Sequence, residues 1–470
     1  MLRGNLESGP AFCYGKHRAQ SSEAGPYALL SSLAFIALLP ITVVAQGQGP
    51  APTPGVNAPA VVYGGAVQAP LLFEGERVPN NQGGLSFGAT SFYDDNVFQL
   101  NTHRDADEGL ALNTRLDITR QSDRLAASFD YAPFFTIYRQ LSQFDRVNHA
   151  SDLNLVYKLT SRVALGVNNN FIYAEGSYPL LDQLPLLSGP PSPTASSPQI
   201  LAYSTRTLSD AAGLDLMFVK SRRTSVTVAG GYNLTKYGTQ VPGQPLYNAS
   251  GYIGSVELEY RETEHTSFGI FLLHQDTTFE GGQAFGTRLR SQLESAYFSV
   301  GSRVSPSTSF SIFGGPQYIG TVGVVSAGAG IAGHFQGAGG GSITREVRRT
   351  ALQLSCQRAV TSGGGWYTSA ISTNATLAVR RRLAGQWQGD LHAGAAELDA
   401  SLFKFANGKT DGLYGGVNIR RPLPHGAAFH IAFESWHQLS KGTLPIFANF
   451  DRNQVSVGID YRLKALPLGR

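Results

Sequence analysis

Residues Asp152–Tyr173, which read DLNLVYKLTSRVALGVNNNFIY, decide the fold. Every second residue from Leu153 to Tyr157 is apolar, and a similar alternation resumes at Val163 after the short turn Thr160–Arg162. Alternation with a period of two gives a strand one apolar face and one polar face. Two such strands around a tight polar turn predict an antiparallel hairpin. A lone hairpin is only marginally stable in water, so this one must belong to a larger sheet.

The same hairpin pattern recurs along the chain from Gly84 onward. Successive turns lie roughly 40 residues apart, except for one interval of about 60 that contains the Pro-rich stretch Tyr178–Pro198. Regular spacing of this kind indicates a barrel built from hairpins. The predicted turns are Arg120–Asp123, Thr160–Arg162, Lys220–Arg223, Glu262–His265, Val304–Ser307, Val347–Arg349, Leu383–Gln386 and Pro422–Gly426.

Longer connections separate these hairpins, so short turns would lie at one end of the barrel and long loops at the other, as in outer-membrane barrels. Eight turns predict sixteen strands, and one further strand at each end gives eighteen, with a range of 16–20 because 320–346 shows almost no pattern. The fold class is therefore all-β, a transmembrane antiparallel up-and-down β-barrel with short periplasmic turns. The predicted long connections are 94–108, 134–146, 175–203, 237–249, 276–287, 320–336, 361–370, 400–411 and 439–449.

Composition excludes several other classes of protein. The 470-residue chain is 42% apolar with a mean hydropathy of −0.10, whereas a helical membrane protein would carry several long apolar runs. A net charge of +4 from scattered basic residues gives little support to nucleic-acid binding. Cys356 would be the single cysteine after export, so no disulfide framework is expected.

The N-terminal region carries the export signal. The apolar run Tyr27–Val44 follows basic residues and ends in small residues before Gln46, which predicts a signal peptide over 1–45. An uncleaved single-span anchor is the alternative. Pro, Gly, Ala and Gln dominate 46–82, which is typical of a flexible periplasmic linker. The barrel is then expected over 83–463, with a periplasmic tail over 464–470, in the bacterial outer membrane.

A soluble sandwich or propeller would also alternate, but charged residues in the strand centres favour a wet lumen with the apolar face on lipid. These lumen charges form either a self-neutralising lattice or opposed pore walls that orient solutes. Tyrosines near strand ends are expected in interfacial girdles: Tyr93, Tyr138, Tyr173, Tyr260, Tyr297 and Tyr414. The predicted lumen-lining residues are Arg115, Asp117, Asp130, Asp215, Glu257, Glu259, Arg261, Arg288, Arg290, Glu294, Arg345, Arg380, Asp390 and Glu434.

No motif indicates catalysis or a cofactor. Gly328–Gly333 matches GxGxxG, but neither a following helix nor a suitably spaced acidic residue accompanies it. The histidines show no HExxH or Cys pairing, and there is no GxSxG, so we expect no enzyme, no metal and no cofactor. The acidic stretch Asp94–Glu108 could bind Ca²⁺, bridge to lipopolysaccharide through a divalent ion, or be a solvated loop.

Two segments resemble known outer-membrane proteins. Ser456–Leu463, SVGIDYRL, resembles the terminal strand by which barrels are recognised for assembly, although the chain continues to Arg470. Ser91–Phe98, SFYDDNVF, looks like the opening of a family of bacterial outer-membrane β-barrels, some of which are encoded with exopolysaccharide synthesis and export genes. The resemblance implies membrane lipid and lipopolysaccharide, the barrel-assembly machinery and polysaccharide-export components as partners. It implies no functional residues.

Two functions compete for this barrel. The first is a channel for small hydrophilic solutes or polysaccharide, because eighteen strands match porins with aqueous channels. The second is a non-conducting surface or adhesion barrel, plugged by loop 175–203 or loop 320–336. A plugged siderophore-type transporter does not fit, because it needs about 22 strands and a large N-terminal plug.

Overall fold

The structure, a computed structural model, describes residues 81–99, 101, 104–175, 206–238, 247–281, 288–323, 332–361, 370–399, 408–442 and 449–467. The predicted signal peptide and almost all of the predicted linker lie outside these residues. So do most of loop 175–203 and residues 324–331 of loop 320–336, which include Gly328 and Gly330. No helix in the described part of the chain is long and apolar enough to span a membrane.

Eighteen long strands and one two-residue strand make up the described fold. They are β1 Gln82–Asp94, β2 Asp107–Gln121, β3 Leu125–Tyr138, β4 Arg146–Lys158, β5 Val163–Glu175, β6 Arg206–Val219, β7 Thr224–Tyr237, β8 Tyr247–Arg261, β9 Thr266–Gly281, β10 Arg288–Ser305, β11 Thr308–Gly323, β12 Ala332–Val347, β13 Thr350–Thr361, β14 Ala370–Arg382, β15 Gln388–Asp399, β16 Gly408–Pro422, β17 Ala427–Gly442, β18 Phe450–Arg462 and β19 Leu466–Pro467.

The sheet closes on itself. Each long strand pairs antiparallel with its neighbours in sequence, and β1 pairs antiparallel with β18, with Ser91 opposite Val457. The two-residue strand β19 extends this seam by pairing with Gln82 and Gly83. Closure satisfies the backbone groups that an open edge would leave unpaired in lipid. The prediction of a closed, antiparallel eighteen-strand barrel is confirmed.

The predicted turns each coincide with a hairpin connection between described strands. Four predicted connections, 134–146, 276–287, 320–336 and 439–449, begin too early, because the preceding strands continue to Tyr138, Gly281, Gly323 and Gly442. The nearly patternless stretch 320–346 contains the end of β11 and most of β12. Its alternation is invisible in the sequence because Gly337, Gly339 and Gly341 occupy successive positions on one face of β12 and carry no side chain.

The two faces of the barrel wall differ in chemistry. On β6, Leu214, Leu216 and Phe218 are 53%, 45% and 45% exposed, whereas the intervening Asp215 is 6% exposed. Large apolar side chains follow the same alternation around the barrel, and side chains of the opposite parity crowd together on the concave side. The apolar face is therefore the outward, lipid-facing one, and the polar face lines the interior.

Candidate functional site: the polar interior

Most of the charged residues predicted to line the lumen lie on the inward face of their strands. Each of them alternates along its strand with the exposed apolar residues, or lies directly opposite a residue of the neighbouring strand that alternates with them. The inward group comprises Arg115, Asp117, Asp130, Asp215, Glu257, Glu259, Arg261, Arg380, Asp390 and Glu434.

Arg290 and Glu294 are a correction to the sequence analysis, because they share the outward face of β10 with Phe298. Arg290 binds Asp276 of β9 through Nε at 2.8 Å, and Glu294 lies 2.5 Å from Nδ1 of His274. At 18 residues, β10 is longer than the roughly 9–11 residues that cross the hydrocarbon. Its long-loop half can therefore carry outward charges beyond the lipid.

The sequence analysis also predicted the wrong orientation for four other side chains. Arg345 lies on the outward face with Ile343 and Val347, two residues from the end of β12. Three tyrosines assigned to the girdles point inward instead: Tyr138, Tyr297 and Tyr414. Tyr93, Tyr173 and Tyr260 share the outward face with apolar neighbours. Arg288 pairs through its backbone with Glu280, and its side chain is not among those that the structure describes.

A fully buried ion pair joins the first and last long strands. Nε of Arg452 donates to Oδ1 and Oδ2 of Asp94 at 3.1 and 3.0 Å, and both side chains are at most 1% exposed. The guanidinium also lies 5.3 Å above the ring of Trp436, a cation–π contact from the neighbouring strand. A buried charge is tolerated only when it is paired, so this contact specifies how β18 meets β1.

Thr90, His430 and Asp460 form a second buried group at the same seam. Oγ1 of Thr90 lies 3.2 Å from Nε2 of His430, and Nδ1 of His430 lies 3.3 Å from Oδ2 of Asp460. Nδ1 of His430 and both carboxylate oxygens of Asp460 have no hydrogen-bond partner among the described residues, so the three side chains do not form a catalytic triad. His430 is 0% and Thr90 is 5% exposed, so no substrate reaches the hydroxyl. We assign the group a positioning role at the seam.

An ion pair and a histidine–carboxylate contact line the wall formed by β14–β17. Arg380 on β14 contacts Asp390 on β15 at 2.5 Å. His392 on β15 contacts Glu434 on β17 at 2.8 Å across the intervening β16, where Gly416 leaves the space open for the carboxylate. Arg420 of β16 also lies on this inward face, and its Nε has no hydrogen-bond partner among the described residues.

A row of three carboxylates crosses β2, β3 and β4. Asp117 lies opposite Asp130, and Asp130 lies opposite Asp152. Adjacent like charges are unfavourable in a sheet. Arg462 contacts Asp117 at 3.1 Å and Arg115 contacts Asp130 at 2.6 Å, so these two cations compensate for the first two acids.

The wall from β4 to β8 keeps an excess of negative charge. Asp152 bonds the amide of Asn170, while Asp215 and Glu257 have no ion pair or hydrogen bond among the described residues. Glu259 contacts Arg261 at 3.5 Å and Ser225 at 3.2 Å. The interior therefore has one wall of mixed charge and one acidic wall. Within the described residues, no group of three or more His, Cys, Asp or Glu side chains is arranged to hold a metal ion.

Sequence reasoning missed the residues that meet across the seam. Arg462 meets Asp117 and Arg452 meets Asp94, and both partners lie more than 300 residues earlier in the chain. Asp94 was placed in a loop because it begins a run of charged residues, whereas it is the last residue of β1. Alternation can assign such residues to a face, but it cannot pair them.

Comparison with known proteins places the fold in context. No protein-family model and no curated protein matches the chain. Solved structures similar to it include the ferric citrate transporter FecA, with a TM-score of 0.44, 11% identity, and coverage of 82% of this chain and 64% of FecA. OccK2 (OpdF) of Pseudomonas aeruginosa has a TM-score of 0.42 and 11% identity, with coverage of 82% of this chain and 98% of OccK2. OccAB4 of Acinetobacter baumannii has a TM-score of 0.38 and 10% identity, with coverage of 83% of this chain and 100% of OccAB4. This likeness concerns the fold alone: the chain is similar to barrels of the bacterial outer membrane.

Proposed function

We propose that this barrel is an outer-membrane channel for small hydrophilic solutes. The observation that supports it is the inward face, where charged and amide side chains occur on strand after strand of a closed eighteen-strand wall. Barrels of this strand number are wide enough to enclose an aqueous pathway. A polar lining and a lipid-facing apolar belt are what such a pathway requires. A polysaccharide is a larger candidate solute for the same interior.

The acidic wall gives the channel a preference for cations. Asp152, Asp215 and Glu257 lie on β4, β6 and β8 and have no described cationic partner. Uncompensated carboxylates in a pore attract cations and repel anions.

Planar-bilayer recording of the purified protein under a KCl gradient tests both points. We expect stepwise currents whose reversal potential indicates cation preference, and we expect the Asp152→Asn/Asp215→Asn/Glu257→Gln variant to lose most of that preference. Glu294→Gln is the matched control, because it removes a carboxylate from the outward face. Adding oligosaccharides of increasing length tests the polysaccharide candidate through current block. Absence of steps, or equal effects of both variants, would contradict the proposal.

A closed, structural barrel is the second candidate. Several inward side chains are almost completely buried, including Phe279 at 1%, Ile319 at 1% and His430 at 0%. Such burial favours a filled interior. If no current appears until residues 176–205 are deleted, the closed barrel replaces the channel as the function. If currents persist unchanged after that deletion, the closed barrel is excluded.

A further inference from the structure

Three aromatic side chains lie together on the inward face of β9, β10 and β11. Phe271 and Tyr297 have ring centroids 6.2 Å apart and an interplanar angle of 17°, and Phe313 meets Tyr297 edge-on at 5.7 Å. We call Phe271, Tyr297 and Phe313 the aromatic platform. All three rings are partly exposed rather than buried. They therefore offer π surface to the interior of the barrel.

The neighbours of the platform leave its rings accessible. Same-face neighbours along a strand are two residues apart, and most of those here are small: Gly269 next to Phe271, Ser295 and Ser299 next to Tyr297, and Ser311 and Gly315 next to Phe313. Gln317 donates its amide to the Tyr297 hydroxyl, which holds that ring in place. Phe271 also packs against a buried apolar cluster that includes Leu273 and Leu293, so the platform is the partly exposed edge of a packed core.

A carboxylate borders the platform directly. Glu257 of β8 lies opposite Phe271 in register, and its Oε1 lies 3.9 Å from the position that a Cβ of Gly269 would occupy. No hydrogen bond or ion pair to Glu257 exists among the described residues. The nearest charge on its own strand is Glu259, the partner of Arg261. An uncompensated negative charge thus lies beside exposed ring faces.

We propose that Glu257 and the aromatic platform bind an organic cation, an ammonium group attached to an apolar body. Ring faces attract cations through their quadrupole, and aromatic groups combined with a carboxylate are a recurring solution for ammonium ligands. Partial burial strengthens both attractions relative to water. This assignment rests on the proposed channel function and specifies one solute class that the interior takes.

The alternatives fit the same surface less well. An anion would meet Glu257, Glu259 and, further along the wall, Asp215 without a free cationic partner among the described residues. A neutral sugar can stack on aromatic rings, but it leaves the charge of Glu257 unused and buried charges without partners are unfavourable.

Equilibrium dialysis of the detergent-solubilised full chain with phenyltrimethylammonium tests the site without depending on conduction. We expect Glu257→Gln and Phe271→Leu each to weaken binding about tenfold. Phe268→Leu and Glu294→Gln are matched controls. Phe268 stacks on Phe298 at 6.1 Å on the outward face of the same two strands. Weaker binding by Phe268→Leu would therefore indicate that detergent or outward-facing aromatic rings take up the cation. The controls should bind as the parent does.

Several outcomes would overturn the site. They are binding unchanged by Glu257→Gln and Phe271→Leu, equal loss in the outward controls, or glucose or benzoate bound as tightly as the cation. Circular dichroism and heat-modifiable gel migration of each variant establish that it is folded. Binding without bilayer current would contradict the channel and leave the site intact. Current without binding would contradict the site and leave the channel intact.

Discussion

Single residues at the seam determine how closely the strands approach. Gly458 of β18 lies in register with both Thr90 of β1 and His430 of β17. A Cβ at Gly458 would lie 2.5 Å from Oγ1 of Thr90 and 2.5 Å from Nε2 of His430. The missing side chain is therefore what allows those two side chains to meet over the middle strand.

Replacing this glycine should destabilise the barrel. We expect Gly458→Ala to lower the free energy of unfolding by about 1–3 kcal/mol, because His430 is fully buried and has little room to move. Urea unfolding in lipid vesicles measures the change. Gly254→Ala is the control, since nothing lies within 4 Å of a Cβ added there and its effect should stay within about 0.5 kcal/mol. Equal losses in the two variants would show that the space over Gly458 is not limiting.

On the outward face of the strands, the polarity of the side chains changes with depth in the membrane. On β17, Ile431, Phe433 and Leu439 are 46%, 44% and 39% exposed, and Lys441 follows near the long-loop end. Apolar residues in the strand centre and charges near its end mark where hydrocarbon gives way to the interface. The outward ion pairs of β9 and β10 mark the same transition.

Charge substitutions along β17 should therefore differ in cost. Relative to alanine at the same position, we expect Phe433→Arg to cost about 2–4 kcal/mol and Leu439→Arg about 0–1 kcal/mol. The physical reason is that arginine at the centre must be desolvated, whereas arginine near the end reaches polar groups. Reversible unfolding in vesicles provides the comparison. A larger cost at position 439 would mean that the lipid-facing zone has been misplaced.

The whole molecule depends on pairing the first long strand with the last. Residues of β1 and β18 that bond to each other are separated by most of the described chain, as with Ser91 and Val457. The Asp94–Arg452 pair and the Thr90–His430–Asp460 group lie along the same seam on its inward side. The seam is thus fixed by buried polar contacts as well as by the backbone ladder.

Cysteine crosslinking tests this closure and its register. In a Cys356→Ser background, Ser91→Cys/Val457→Cys should oxidise readily to a disulfide, because directly opposed Cβ atoms lie about 4.5–5.5 Å apart. Non-reducing gel migration of the denatured chain detects the resulting ring. The slipped pair Ser91→Cys/Ile459→Cys should crosslink poorly, since diagonal neighbours are about 7–8 Å apart. Crosslinking favoured in the slipped pair would contradict the register.

Much of the fold could be predicted from local pattern. The turn at Thr160–Arg162 and the alternation on either side of it specified a hairpin, and its repetition gave eighteen strands. The prediction of faces failed on β10, where Arg290 and Glu294 suggested a lumen and Tyr297 a girdle. The charges of that strand extend past the lipid, so polarity there no longer indicates direction.

The sequence by itself determined strand number, hairpin connectivity and, for most strands, which residues face lipid, because these depend on a period of two and on nearby turns. The tertiary structure alone decided which strands close the barrel and which charges meet, as in Arg452 with Asp94 and Arg462 with Asp117. It also brought Phe271, Tyr297 and Glu257 onto one inward surface. Those contacts join different strands through register and curvature, and neither quantity is encoded in the pattern of any single strand.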